Sequence, residues 1–168
     1  MYLISLYFDD KSDKDILSIM GCIEKKTKNT YITDNKIPPH LTVTGFYSKN
    51  EEQVKELFEE FAQGIEADKI ELASIAAFNK KSIHIDAVLS RYLHEISVRA
   101  NEIFTRLDDV KFMPFYMPFG WIPHVTLAKH LTEDEMKEAF AEAIRYFSKK
   151  EVIIKRIGLS KTNPYREI

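Results

Sequence analysis

The residues best suited to chemistry are His40 and Thr42, in Pro39-His40-Leu41-Thr42-Val43, and His124 and Thr126, in Pro123-His124-Val125-Thr126-Leu127. An imidazole ordinarily titrates near pH ~6.5, so around neutrality one ring of a pair can be neutral while the other holds a proton. If two such rings flank a phosphorus atom, the neutral one deprotonates an attacking water and the protonated one gives its proton to the departing oxygen. Each transfer contributes roughly 10²- to 10⁴-fold. A threonine two residues on lies ~7 Å along a strand, close enough for its hydroxyl to reach the same tetrahedral anion and donate to a non-bridging oxygen. This chemistry needs no metal and no cofactor.

The two copies lie 84 residues apart, half of the 168-residue chain. Each is a short apolar run rich in β-branched residues, entered through a proline that holds the preceding residue extended, so each is predicted to be a strand. Residues two apart on a strand share a face. His40 and Thr42 therefore point one way and Leu41 and Val43 the other, with His124 and Thr126 likewise separated from Val125 and Leu127.

The surrounding pattern repeats as well. Tyr2 to Phe8 is predicted to be a strand, and Ser12 to about Lys26 a helix marked by Ile16, Leu17, Met20 and Ile23, followed by a loop over Thr27 to Lys36. After the His40 strand, which runs to about Phe46, Asn50 caps a helix with Val54, Leu57, Phe58 and Phe61 on its apolar stripe, and Gly64 stops it. Lys69 to Phe78 and Ser82 to Val88 are predicted strands, and Ser90 to about Leu107 a helix. Asp108 to Gly120 is expected to be a long aromatic loop ahead of the His124 strand. Thr132 and Glu135 make a capping box for a helix burying Met136, Ala139, Phe140, Ala143 and Phe147, and Val152 to about Ser160 is the last strand. The expected fold is α+β, one domain over residues 1–168. It is a bilobal, pseudo-twofold duplication of a β-α-β-α-β unit, with halves of approximately 1–79 and 80–168. Antiparallel sheets surround a central groove, helices lie outside, and the motif strands face each other across the groove.

Composition bounds the partners. A formal charge of −2 and a pI near 6.2 argue against coating nucleic acid through bulk electrostatics, but leave room for a nucleotide or an RNA end. Cys22 is the single cysteine and falls in a helical pattern, so it is expected to be a reduced core or boundary residue. No apolar run approaches membrane-spanning length, and Met1 to Phe8 runs straight into Asp9, Asp10 and Lys11 without a basic start. The cytoplasm is the expected compartment, and nothing in the sequence calls for a protein partner.

Two His-x-Thr tetrapeptides on strands, His40-Leu41-Thr42-Val43 and His124-Val125-Thr126-Leu127, half a chain apart, resemble the two-histidine (2H) phosphoesterase superfamily, in particular its 2′-5′ RNA ligase / RNA 2′,3′-cyclic phosphodiesterase branch. The resemblance covers essentially the whole chain. It implies a bilobal α+β fold with catalysis by His40 and His124, without a metal, and hydrolysis of a nucleoside or RNA 2′,3′-cyclic phosphate to a 2′-phosphate. Some members of the family also join 2′-5′ RNA ends in the reverse direction. It further implies a basic residue after the second motif, a place that Lys129 fills.

Further candidates for substrate contacts are the aromatics ahead of the second motif, Tyr116, Phe119 and Trp121, which can stack on a base or plug an interface, and His84. His84 shares a strand face with Asp86, where a solvated sheet face is the ordinary expectation. Two other readings stay open on the residues alone. One is a nucleotide- or RNA-binding module that keeps the groove without turnover. The other is a metal-dependent hydrolase using His84 and Asp86 as ligands, although no close His or Cys spacing favours it.

Overall fold

The computed structural model describes residues 1–162 and 164–168. Strand β1 (Tyr2–Phe8) is buried along its whole length, and Asp9 ends it by capping helix α1 (Asp10–Thr27) through the Ser12 amide. A short helix α2 (Tyr31–Asp34) interrupts the segment expected to be loop. Strand β2 (Leu41–Tyr47) begins one residue after His40, and Asn50 caps α3 (Glu51–Ala62). The chain then leaves α3 through Gly64, whose φ of 75° is the left-handed conformation that glycine alone adopts freely.

Strands β3 (Asp68–Phe78) and β4 (Ser82–Ala87) form a hairpin, and Ser90 caps α4 (Arg91–Phe104). The aromatic segment that follows is not all loop. It holds a two-residue strand β5 (Lys111–Phe112), paired with β2, and a 3₁₀ turn at Pro114–Tyr116. Strand β6 (His124–Lys129) comes next, and the expected capping box of Thr132 and Glu135 starts α5 (Glu133–Tyr146). Strands β7 (Lys150–Lys161) and β8 (Arg166–Glu167) complete the chain.

The eight strands form one continuously hydrogen-bonded antiparallel sheet, consistent with the expected α+β class. Six of them close a circuit in the order β1-β2-β6-β4-β3-β7, with β7 pairing back to β1. Pairing crosses the midpoint of the chain at several places: β1 with β7, β2 with β6, and β3 with both β4 and β7. Helices mix in the same way, α1 packing against α5 and α3 against α4. The motif strands were expected to face each other across a groove, but they are neighbours, joined through the Leu41–Val125 pair. That pairing is favoured because each strand buries its alternate residues in one core: Leu41, Val43, Val125 and Leu127 are all buried.

That core runs from Ile4 and Leu6 of β1 through Phe46 of β2 to Leu93 and Phe104 of α4, with Ile16 and Ile23 of α1 on its other side. Phe140, expected on the buried side of α5, is exposed, because Ala139 and Ala143 form the contact face of that helix. Cys22 is half-buried, as expected of a boundary position. No helix among the described residues is long and apolar enough to cross a membrane.

Candidate active site

His40 and His124 share the same backbone tether at the entry of their strands. His40 Nδ1 lies 2.8 Å from the Pro38 carbonyl oxygen, and His124 Nδ1 lies 2.8 Å from that of Ile122, each two residues upstream. A carbonyl only accepts, so each Nδ1 carries hydrogen and donates, leaving Nε2 as the atom that can take or give a proton. The prolines at 39 and 123 hold the upstream backbone extended, which brings those carbonyls under the rings.

Both rings line one pocket of about 210 Å³ together with Thr42, Thr126, Lys129, Tyr116 and Tyr165. It adjoins a second pocket of about 410 Å³ that shares Tyr116, His124, Thr126 and Lys129 and extends between Phe78, Phe115 and Ile122. The alternation read from sequence thus brings His40, Thr42, His124 and Thr126 together, and the register shift between Thr126 and Ala128 turns Lys129, which strict alternation would put on the opposite face, toward the same pocket. A larger cavity of about 510 Å³ between Gly64 and Arg99 contains none of them, and its Arg99 guanidinium is engaged by the Glu60 and Gln63 carbonyls at the end of α3.

Burial pushes both imidazoles below their ordinary pKa. The hydrogen bond to the upstream carbonyl partly opposes this in each, and Lys129 adds to it. Their other neighbours differ. The charge of His124 further lowers His40, whereas the carboxylate of Asp86 raises His124.

Three residues proposed as substrate contacts lie elsewhere. Trp121 is 6% exposed, and its indole Nε1 donates to the Thr42 carbonyl oxygen at 3.1 Å, so it holds β2 in place from within the core. Trp121→Phe is expected to cost about 1–2 kcal/mol in urea unfolding, because the buried Thr42 carbonyl loses its donor. Phe119 is 90% exposed, sits at φ 67°, and packs near His94 outside both pockets. His84 is 1% exposed, not on a solvated face: its ring stacks on Phe78 at 4.0 Å and meets His124 edge-on at 4.9 Å. Among the described residues, no group of three or more His, Cys, Asp or Glu is placed to hold a metal ion.

Of the three aromatics singled out ahead of the second motif only Tyr116 lines the pockets, and the other side chains at the site carry no sequence signal. Tyr165 stacks beside His40 at 6.0 Å, and its hydroxyl meets that of Tyr7 at 2.5 Å, a contact spanning 158 residues. Arg156 covers the Tyr7 ring at 3.9 Å and pairs with Glu167 of β8. Tyr116 closes over β2 at Gly45, where an added Cβ would come within 3.2 Å of its ring. Only the repeat of the motif is visible in sequence, because these contacts depend on the closure of the sheet.

Comparison with known proteins agrees with this geometry. No curated protein matches the sequence. Among solved structures, one described as the crystal structure of a phosphoesterase aligns with a TM-score of 0.59 at 11% identity, covering 99% of this chain and 92% of that one. Usb1 of Kluyveromyces marxianus aligns with a TM-score of 0.51 at 9% identity, covering 99% and 96%. At such identities the likeness is one of fold. The family model of the 2′-5′ RNA ligase superfamily matches residues 16–166. With both histidine motifs inside that match, the chain belongs to the 2′-5′ RNA ligase superfamily of two-histidine phosphoesterases and is of the phosphodiesterase or ligase kind.

Proposed function

We propose that this protein is a metal-independent phosphodiesterase that opens the 2′,3′-cyclic phosphate of a nucleotide or an RNA end to a 2′-phosphate. The observation carrying this reading is the matched pair of imidazoles, each tethered through Nδ1 and so left with Nε2 for proton transfer, in one pocket with two threonine hydroxyls and a lysine. In the reaction, a water oxygen bonds to phosphorus as the bond from phosphorus to the 3′ oxygen breaks. The neutral imidazole takes the water proton on Nε2, and the protonated one delivers its Nε2 proton to the 3′ oxygen. Thr42 and Thr126 donate to the non-bridging oxygens, which gain charge as the fifth bond forms, and Lys129 offsets that charge. When the 5′-hydroxyl of a second RNA replaces water, the same transfers form a 2′-5′ linkage. The reading places the protein in the cytoplasm as one bilobal domain built from halves of about 1–79 and 80–168.

The test is turnover of a nucleoside 2′,3′-cyclic phosphate, and of a short RNA ending in one, in excess chelator, with the product phosphate located by ³¹P NMR. The expected product is the 2′-phosphate. Saturable binding without product would mean a binding module, and turnover only on adding metal would mean a metal hydrolase. Either result overturns the reading.

Acid–base pairing also fixes a pH profile. The active form holds one proton on the pair, so kcat/KM is bell-shaped and its limbs belong to the pair as a whole. Because burial lowers both imidazoles, the optimum is expected on the acid side of the ordinary imidazole value. The kcat profile lies higher, since a bound phosphate anion stabilises the imidazolium. A kcat/KM that stays flat from pH ~5 to ~8 would contradict the paired mechanism.

A further inference from the structure

The two motif histidines share a backbone tether but not their surroundings. In the register of β4 with β6, Asp86 lies opposite His124 and His84 opposite Thr126, so all four project from the same face. His84 Nε2 approaches Asp86 Oδ1 to 3.1 Å without the alignment of a hydrogen bond. Both ring nitrogens of His84 and Oδ1 of Asp86 are buried without a directional partner. Ser74 reaches the other carboxylate oxygen at 3.5 Å. Leaving three polar atoms in this state is costly, and such groups persist where they serve the site.

We infer that Asp86, braced by His84, is a positioning residue that draws the shared proton of the histidine pair onto His124, so that His124 enters the reaction as the acid and His40 as the base. This rests on the cyclic phosphodiesterase reading. The groups facing His124 are Asp86 and His84 from β4, Lys129 from its own strand, His40 from the entry of β2, and Tyr31 of α2, Tyr116 and Tyr165 around the pocket. Strand β3 contributes Phe78, which has no charge. Asp86 is the anion in this set. Burial pushes His84 down to about 4, so it stays neutral near pH 7 and supplies shape rather than charge. Burial also raises the Asp86 carboxyl above its ordinary value, while the His124 charge opposes that rise.

Among the described residues, the His40 side has no counterpart. Tyr7 and Tyr165 flank that ring, and burial pushes both phenols up, so they remain neutral. The nearby Glu167 carboxylate is matched by Arg156. A proton on His40 meets repulsion from His124 and Lys129 with no carboxylate to offset it.

The sign of the test follows. Removing the Asp86 charge makes His124 lose its proton at lower pH, while His40, less often facing a charged His124, gains its proton more easily. In NMR titrations of the histidine rings, Asp86→Asn is expected to lower the His124 midpoint by about one pH unit and leave that of His40 unchanged or slightly raised. The alkaline limb of kcat/KM on a nucleoside 2′,3′-cyclic phosphate moves down with it, losing about tenfold at pH ~8 and less than about twofold on the acid limb. Asp86→Glu restores most of the loss, and Asp86→Ser, a second neutral variant, moves His124 in the same direction as asparagine. An unmoved His124 midpoint, or equal falls in both rings, overturns the role of Asp86. A gain in acid-side activity in Asp86→Asn reverses acid and base and overturns the assignment. The titration needs no substrate, so absence of turnover by the wild type would count against the cyclic phosphodiesterase reading alone.

Discussion

On the proposed reaction, His40→Ala and His124→Ala are each expected to lower kcat for cyclic-phosphate opening by about 10²-fold or more, with the double variant little worse than either single one. In the proposed mechanism each imidazole moves one of the two protons in a single displacement, and loss of either transfer forces an unassisted step. Groups that act as a unit are strongly non-additive, so removing the second ring costs little once the first is gone. The threonines and Lys129, proposed to hold the phosphate, still line the pocket in both variants, so the loss is expected in kcat more than in KM. The rings sit at the mouths of their strands, outside the core, so unfolding midpoints should stay close to wild type. Kinetics of the two single variants and the double variant, alongside urea melts, decide the matter. A strictly multiplicative double variant would show that the histidines act independently.

Phe46→Ala is expected to have the largest effect on stability, about 3–5 kcal/mol in urea unfolding with an unchanged denaturant slope. Phe46 is fully buried on β2, four residues beyond Thr42. Its ring meets Phe104 of α4 at 4.8 Å, Tyr2 of β1 at 5.8 Å and Phe112 of β5 at 5.9 Å. Truncation therefore forfeits apolar burial and three aromatic contacts, and it leaves a cavity where β1, β2 and α4 meet. A loss below about 1.5 kcal/mol would mean that these elements close around the gap.

The His-x-Thr repeat and its alternation were legible because strand geometry is local. Leu41 and Val125 enter the core while Thr42 and Thr126 face the pocket, as a period of two requires. Capping chemistry was equally local at Asn50 and Thr132, whose side chains make the expected bonds. Strand pairing was not: nothing near residue 2 indicates that β1 lies between β2 and β7. The same limit hid Tyr165 and Tyr7, left Trp121 and Phe119 open between ligand and interface, and put His84 on a solvated face where it is buried. An aromatic beside a motif can stack on ligand, core or solvent, and only the tertiary path decides which. The charge asymmetry of the histidines was hidden for the same reason. The two motifs are nearly identical in sequence, and Asp86 joins one of them only through the β4–β6 register.

The closed circuit of strands bears on how the protein is made. Strand β1 forms early in the chain but completes its pairing only with β7, whose partner residues run to Lys161. The contact spans nearly the whole sequence, which makes sheet closure a late, slow event, in the millisecond-to-second range of folds dominated by distant pairings. During synthesis, β1 and β2 can pair while β6 is still inside the ribosome, so the first histidine is in place well before the second. The pocket that needs both then arises only with the last turn of assembly.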